Sequence, residues 1–250
     1  MHEKKAAGQE HRPERYALVR DATADRGRSG ITMQLMFKEI IAGDIDAVRR
    51  RLAKNPGAVT LVATSPPKKY TGQSPLQVAY SQAQFEIAAL LLAHGADPNF
   101  IEHGDREPWA MPPLHHAIKA AVMRSRWLRP TWREEDPWET RNTAEQADAA
   151  YVALRLLLES GADVHSLDSY GNSALGRAVL DARQILPTHH HSDPDWVDPK
   201  PLTPDLVDDL TRIFDTLMAH GANPHQAERD LGASVVEHYR GEPVAQFLHA

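Results

Sequence analysis

A ten-residue phrase occurs three times in the chain, and its recurrence limits the folds that are open to it. The copies are LLLAHGADPN from Leu90, LLLESGADVH from Leu156 and TLMAHGANPH from Thr216. Apolar residues eight, four and three positions before each glycine lie on one helical face. The glycine then ends the helix, because glycine adopts a left-handed backbone without a Cβ clash. The repetition predicts an array of similar helical units.

A second recurring phrase marks where a helix begins. Serine and proline at the start of this phrase are typical of an N-cap and a first helical turn. The leucine that follows begins another apolar face. The copies are GQSPLQVAY from Gly72, PPLHHAI from Pro112, GNSALGRAV from Gly171 and a weaker GASVVEHY from Gly232.

The spacing between the two phrases sets the length of one unit. Leu76 to Gly95 spans 19 residues, whereas Gly161 to Leu175 and Gly221 to Val235 each span 14. Together they give about 33 residues, the period of the ankyrin repeat, whose helix-opening motif is T-P-L-H-x-A. On these phrases the chain resembles the ankyrin-repeat family over about residues 33–250. The motif histidine is present only in the second copy, PPLHHA.

The resemblance implies an all-α fold, an ankyrin-repeat solenoid of about five antiparallel helix pairs joined by β-hairpin-like turns. Residues 1–30 are polar and poor in aromatics, so we expect them to form a disordered tail before a repeat domain at 31–250. The expected units are an N-terminal cap at about 33–56, repeats at 72–99, 112–165 and 171–225, and a C-terminal cap at 232–250.

Two units are longer than the period allows. Leu114 to Gly161 spans 47 residues and Leu175 to Gly221 spans 46, where 19 are expected. The extra residues predict insertions at about 128–143 and 186–203, between the paired helices of consecutive repeats. Because neighbouring repeats stack in register, we expect both insertions to emerge side by side.

The sequence also predicts local structure around the insertions. Apolar spacing indicates helices over His115 to Trp127 and over Thr143 to Ser160, with an irregular loop, RPTWREEDPWET, between them. In the second insertion, TPDLVDD indicates that a helix begins after Thr203.

Four of the five tryptophans lie in or beside these insertions. Tryptophan is enriched at binding hot spots, so the rings are candidates for contact with a partner. Alternatively, they pack on one another as a small satellite core. The four are Trp127, Trp132, Trp138 and Trp196.

Composition narrows the possible chemistry. The chain has no cysteine and a formal net charge of −6, which exclude thiolate metal sites and disfavour nucleic acid as a partner. No nucleophile elbow, phosphate-binding loop or H-E-x-x-H helix occurs, so we expect a protein that is not an enzyme and needs no cofactor. His189, His190 and His191 are weak metal-ligand candidates, since three consecutive residues in a loop rarely face one ion.

No apolar run is long enough to span a bilayer, and the expected location is cytoplasmic. The residue usage suggests a bacterial source. We expect the protein to be a monomer in the absence of a partner.

The resemblance implies that another protein binds to the concave surface formed by the turns and inner helices. Trp109 is the foremost candidate, because a tryptophan on a surface turn needs either packing or a partner. Two alternatives remain open: a toxin-neutralising immunity protein, and a metal or small-ligand sensor that uses the insertions. The other candidate contact residues are Arg106, Glu107, Tyr80, Lys119, Met123, Asp168, Tyr170, Arg177, Asp181, Trp132, Trp138 and Trp196.

Overall fold

A computed structural model describes residues 34–64, 68–101, 110–188, 198–228 and 231–248. The expected tail at 1–30 lies outside these residues. Within the described ranges the chain is mostly helical, and no helix there is long and apolar enough to cross a membrane. The α-helices are α1 (34–42), α2 (Ile45–Lys54), α3 (Pro75–Ser81), α4 (Phe85–Ala93), α5 (Pro113–Met123), α6 (Ala144–Glu159), α7 (Ala174–Ala182), α8 (Pro204–Ala219) and α9 (Val235–His238).

Shorter elements join the helices. One antiparallel hairpin, β1 (Leu128–Pro130) and β2 (Trp138–Thr140), lies between α5 and α6. Short 3-10 helices occur at Pro56–Thr60, Lys68–Tyr70 and Pro243–Phe247.

Hydroxyl side chains begin five of the helices. The side-chain oxygen of each N-cap accepts a hydrogen bond from a backbone N–H in the first turn, which would otherwise have no partner. The helix predicted to begin after Thr203 does so, with proline at its first position. The five N-caps are Ser74, Thr143, Ser173, Thr203 and Ser234.

Glycines end the helices as the repeated phrase predicts. Gly95, Gly161 and Gly221 have φ of +83°, +92° and +103°, a left-handed backbone that glycine adopts at little cost. After α4, the backbone N–H of Ala96 donates to the oxygen of Leu91 at 3.0 Å, which satisfies a carbonyl of the last turn.

The helices form two rows. Helices α3, α5, α7 and α9 each contact the next in one row, which we call the inner row, and α2, α4, α6 and α8 do so in the outer row. The apolar face of each helix packs between the rows, where the repeated leucines of both phrases lie. These leucines are almost fully buried: Leu76, Leu114 and Leu175 in the inner row, and Leu91, Leu157 and Leu217 in the outer row.

The fourth position of the helix-opening phrase links one unit to the next. Gln77 Nε2 donates to the oxygen of Met111 at 2.7 Å. One unit later, His115 Nε2 lies 3.2 Å from the oxygen of Ser166, with the imidazole N–H donating. The histidine and the glutamine that replaces it therefore both donate a side-chain hydrogen bond to a backbone oxygen of the next unit.

The third copy makes this link in the opposite direction. Gly176 has no side chain, and a Cβ there would lie 3.1 Å from both carboxylate oxygens of Glu228. Glu228 instead reaches back from the following turn and accepts from the Ser173 N–H at 3.0 Å and from the Ser173 hydroxyl. Glycine makes room for the carboxylate that replaces the motif side chain.

Two further side chains bridge units. Asn99, after α4, donates through Nδ2 to the oxygen of Gly161 at 2.8 Å and accepts from the N–H of Asp163 at 2.7 Å. The hydroxyl of Tyr80, at the end of α3, donates to the oxygen of Ala153 in α6 at 2.9 Å. Each bridge adds a polar contact to the apolar stacking of neighbouring units.

The segment between α5 and α6 differs from the prediction of an irregular loop. It forms the β1–β2 hairpin, with Arg129 opposite Glu139 in an ion pair. Helix α5 also ends at Met123 and not at Trp127. Beyond this end, the N–H of Arg126 donates to Asp209 Oδ2 in α8 at 2.9 Å instead of extending the helix.

The segments that follow α5 and α7 contact each other. Lys200 Nζ lies 6.0 Å from the centroid of the Trp127 ring and donates to the oxygen of Ile185 at 3.0 Å. Trp127 packs against the main core, but Trp132 is 90% exposed and Trp138 is half-buried. The described tryptophans therefore do not share one satellite core.

Candidate partner-binding groove

A groove of about 570 Å³ lies between α3 and α5 in the inner row. Its floor is apolar and is formed by Tyr80 at the end of α3, Met111 before α5, and Ala120 and Met123 within α5. Tyr80 and Met111 are almost fully buried, whereas Met123 is half-buried and faces the opening. The groove therefore offers apolar surface with a polar rim.

The rim of the groove is positively charged. Lys69, Lys119 and Arg124 line it, and no carboxylate is among the described lining residues. Within the described part of the chain none of these three cations forms an ion pair; Lys69 instead lies over the ring of Tyr70 at 4.7 Å. Their charge is available to a bound molecule.

Gln73 adds an uncommitted acceptor to the groove. Its backbone is fixed, since its N–H donates to Tyr70 and its carbonyl accepts from Ala63. Its side chain is buried with the residue only 8% exposed, and within the described residues Oε1 accepts no hydrogen bond. Buried acceptors are normally satisfied, so this oxygen needs an explanation.

At the next junction along the inner row, between α5 and α7, buried polar groups of α7 and the residues after it pair with one another. Arg177 Nε lies 3.1 Å from Asp181 Oδ2, and Gln184 Nε2 donates to Asp181 Oδ1 at 3.2 Å. Burial raises the pKa of Asp181, and the charges of Arg177 and Lys119 oppose that rise.

His115 is buried beside the same junction. Burial lowers its pKa from 6.5 to about 4, although the carboxylate of Asp168, 3.9 Å away, acts in the opposite direction. The imidazole is therefore neutral at physiological pH and serves as a hydrogen-bond donor to Ser166.

The comparison with known families identifies part of this structure. Residues 71–102 match the family model of the ankyrin repeat, and this stretch contains α3, α4 and the glycine that ends α4. These residues therefore contain an ankyrin repeat. No curated protein matches the chain. The matched ankyrin repeat forms the α3 wall of the groove.

Tyr80, a candidate contact residue in this ankyrin repeat, has its polar end committed inside the protein. The residue is 1% exposed and its hydroxyl is bonded to the oxygen of Ala153. Burial also raises the pKa of Tyr80, so the hydroxyl remains protonated. Tyr80 contributes the floor of the groove and not a reactive or charged group.

Three other candidate contact residues have side chains that are used internally. Arg177 and Asp181 form the buried ion pair of the α5–α7 junction. Asp168 is also buried; its Oδ1 accepts from the backbone N–H groups of Tyr170 and Asn172 at 2.9 and 3.0 Å and shapes the turn before α7. Side chains committed in this way cannot present their charge to a partner.

The remaining described candidates lie at three places. Lys119 and Met123 share the groove, Tyr170 is 54% exposed on the turn before α7, and Trp132 and Trp138 lie on the β1–β2 hairpin. The structure thus brings together Lys119 and Met123 above Tyr80, and leaves the others apart. Trp109, Arg106, Glu107, Trp196 and the metal candidates His189, His190 and His191 lie outside the described residues.

Sequence reasoning missed most of the groove, including its two other cations and its buried glutamine. Arg124 follows Ala120 by one helical turn, so helical periodicity alone indicates that it shares this face. Lys69 and Gln73 precede the helix-opening Ser74, where the repeat motif gives no information about orientation. Among the described residues no cluster of three or more His, Asp or Glu side chains is arranged to hold a metal ion.

Proposed function

We propose that this ankyrin-repeat protein is a non-enzymatic interaction module that binds another protein in the groove between α3 and α5. Ankyrin repeats generally mediate protein–protein interaction and are typically not enzymes. The observation that carries the proposal is a groove whose cations form no ion pair, and whose buried glutamine oxygen accepts no hydrogen bond, within the described chain. The proposal includes an array of about five helix pairs in which the two long segments are insertions.

The β1–β2 hairpin is proposed as a second contact surface. Trp132 is 90% exposed, and the backbone around it is held by a hydrogen bond from the N–H of Thr131 to the oxygen of Pro137 at 2.8 Å. A large aromatic side chain on an ordered turn offers contact area at a small entropic cost.

The two alternative roles have less support. A toxin-neutralising protein that binds a basic toxin needs an acidic surface, and the groove is basic; the acidic run Glu134 to Asp136 on the hairpin would have to bind instead. A metal sensor rests on His189 to His191. Metal titration followed by thermal unfolding tests it, since a resident metal raises the unfolding temperature.

Site-specific photo-crosslinking in the source cells tests the proposed function. A benzophenone amino acid replaces Lys119 in the groove, Trp132 on the hairpin or Val152 on the outer row; Val152 is 59% exposed and serves as the control. We expect one protein to be captured from position 119 and not from 152. Capture from 132 alone would move the binding surface to the hairpin, and capture equal to the control at every position would contradict the proposal.

A further inference from the structure

We propose that the segment bound in the groove between α3 and α5 is an extended acidic peptide. This inference rests on the proposed function and deepens it, because it states the chemistry of the partner. Its carboxylates pair with the cations of the rim, and one of its backbone N–H groups donates to Gln73.

The charge of the rim is the first argument. Some exposed arginines elsewhere on the described surface pair with acids, as Arg49 does with Asp46 at 2.7 Å and Arg155 with Glu159 at 2.8 Å. The chain has an excess of acids, with a net charge of −6, yet none of them lines the groove. A local positive field on an acidic protein favours a negatively charged partner at this place.

The acceptor in the groove favours a peptide backbone over a phosphodiester backbone. Gln73 Oε1 is buried and requires a hydrogen-bond donor. The phosphodiester backbone offers only acceptors, whereas an extended peptide offers an N–H at every residue. The same oxygen therefore favours a peptide even though phosphates and carboxylates are both attracted by the rim.

The apolar floor sets the pattern of the peptide. Tyr80, Met111 and Met123 lie between the charged groups. In an extended peptide successive side chains point to opposite sides. An alternation of acidic and apolar residues places carboxylates towards the rim and apolar side chains towards the floor.

Fluorescence anisotropy with a labelled ten-residue Glu–Leu peptide tests the proposal on the intact protein. The matched probe has Gln in place of every Glu. We expect the Glu–Leu peptide to bind about tenfold more tightly than the Gln–Leu peptide, with the difference shrinking as salt is added. Lys119→Gln and Arg124→Gln are each expected to weaken binding by about tenfold, whereas Lys38→Gln, an exposed lysine on α1 that does not line the groove, leaves it unchanged.

Gln73→Met separates a binding role from a structural one. Methionine has a similar volume and removes the unsatisfied acceptor. We expect binding to fall about three- to tenfold while the urea midpoint of unfolding is unchanged or raised. A lower midpoint with unchanged peptide affinity would assign Gln73 a structural role and contradict its part in the proposal.

Three outcomes overturn the proposal: equal affinity for the two peptides, an equal loss in Lys38→Gln and Lys119→Gln, or tighter binding of a single-stranded DNA oligomer than of the Glu–Leu peptide. If position 119 captures a protein in cells but the acidic peptide does not bind, only the acidic chemistry is refuted. If neither binds, the proposed function fails as well.

Discussion

Two junctions of the inner row, α3–α5 and α5–α7, are each linked by one side-chain hydrogen bond but differ in how their charged side chains are paired. Gln77 links the first and His115 the second, each with a hydrogen bond to the next turn. The first has Lys119 without an ion pair and Gln73 Oε1 without a hydrogen bond among the described residues, whereas in the second Arg177 Nε lies 3.1 Å from Asp181 Oδ2. Neighbouring junctions in one row of helices can thus differ in whether their charged side chains form ion pairs within the chain.

The difference arises from few positions. The residue two places after the motif leucine is apolar Val78 in α3 but Arg177 in α7. Five places after that leucine, α5 has Lys119 and α7 has Leu180. As a result, Lys119 faces no arginine–aspartate pair on α3, whereas α7 contributes Arg177 and Asp181 to its junction with α5.

The largest expected effect comes from breaking the ion pair of the α5–α7 junction. Arg177→Ala leaves Asp181 buried without its partner, and we expect the free energy of unfolding to fall by about 3–5 kcal/mol. Urea denaturation followed by circular dichroism measures it. Arg155→Ala, which removes an exposed ion pair with Glu159, is the matched control and should cost less than about 1 kcal/mol. Equal losses would refute the contrast between buried and surface pairs.

The second prediction concerns the two linking residues. His115 has a folded pKa of about 4, below its ordinary value of 6.5, so its contribution to stability is present above 6.5 and is lost as pH falls towards 4. We expect the free energy of unfolding of the parent protein to fall by up to about 3 kcal/mol over this range because of His115. The variant His115→Gln, which has the same side chain as Gln77, should not show this fall.

Chemical denaturation of both proteins between pH 4 and 7 measures this difference. The raised pKa of Asp181 acts with the opposite sign, since its contribution is lost as pH rises, and it is common to both proteins. Parallel pH profiles for parent and variant would show that His115 does not titrate as described.

A smaller loss of stability is expected at the glycines that end the outer helices, which have the same backbone conformation in both units. Gly95→Ala and Gly161→Ala each place a Cβ on a left-handed backbone with no other atom within 4 Å. We expect each to lower the free energy of unfolding by about 1 kcal/mol, and by equal amounts. Thermal unfolding of both variants checks this, with Gly57→Ala as the control at a glycine without positive φ. A much larger loss at one site would indicate that its junction depends on the turn.

The smallest effect tests the α3–α5 junction. Lys119→Ala removes an exposed charge without an ion pair, so we expect the free energy of unfolding to change by less than about 0.5 kcal/mol. Comparison of this loss with that of Arg177→Ala shows whether the charged residue of the groove contributes to the stability of the fold. A loss above about 1 kcal/mol would mean that Lys119 supports Asp181 and is not free for a partner.

Local signals predicted helix boundaries well. Thr203 caps its helix as predicted, Thr143 caps the helix predicted to begin there, and Gly95 and Gly161 end theirs, because capping depends on residues within a few positions. The end of α5 could not be predicted, because it coincides with a long-range hydrogen bond from Arg126 to α8.

The candidate site was predicted only in part for the same reason. Arg177 and Asp181 are four residues apart and resemble a solvated pair on one helical face, but α5 covers them. Gln73 carries no local signal, since only its placement under α5 makes its oxygen exceptional. The ankyrin motif locates the groove, and tertiary packing decides which polar groups remain available in it.

The hydroxyl of Tyr80 has a consequence for how the chain opens. It fastens the inner helix of one repeat to the outer helix of the next, so α3 cannot separate from α6 without leaving a buried hydroxyl unsatisfied. In an array where each unit contacts only its neighbours, such a bridge joins two units into one cooperative block. The amide hydrogens of α3 and α6 should therefore exchange with solvent together, and the groove should persist while the ends of the array fray.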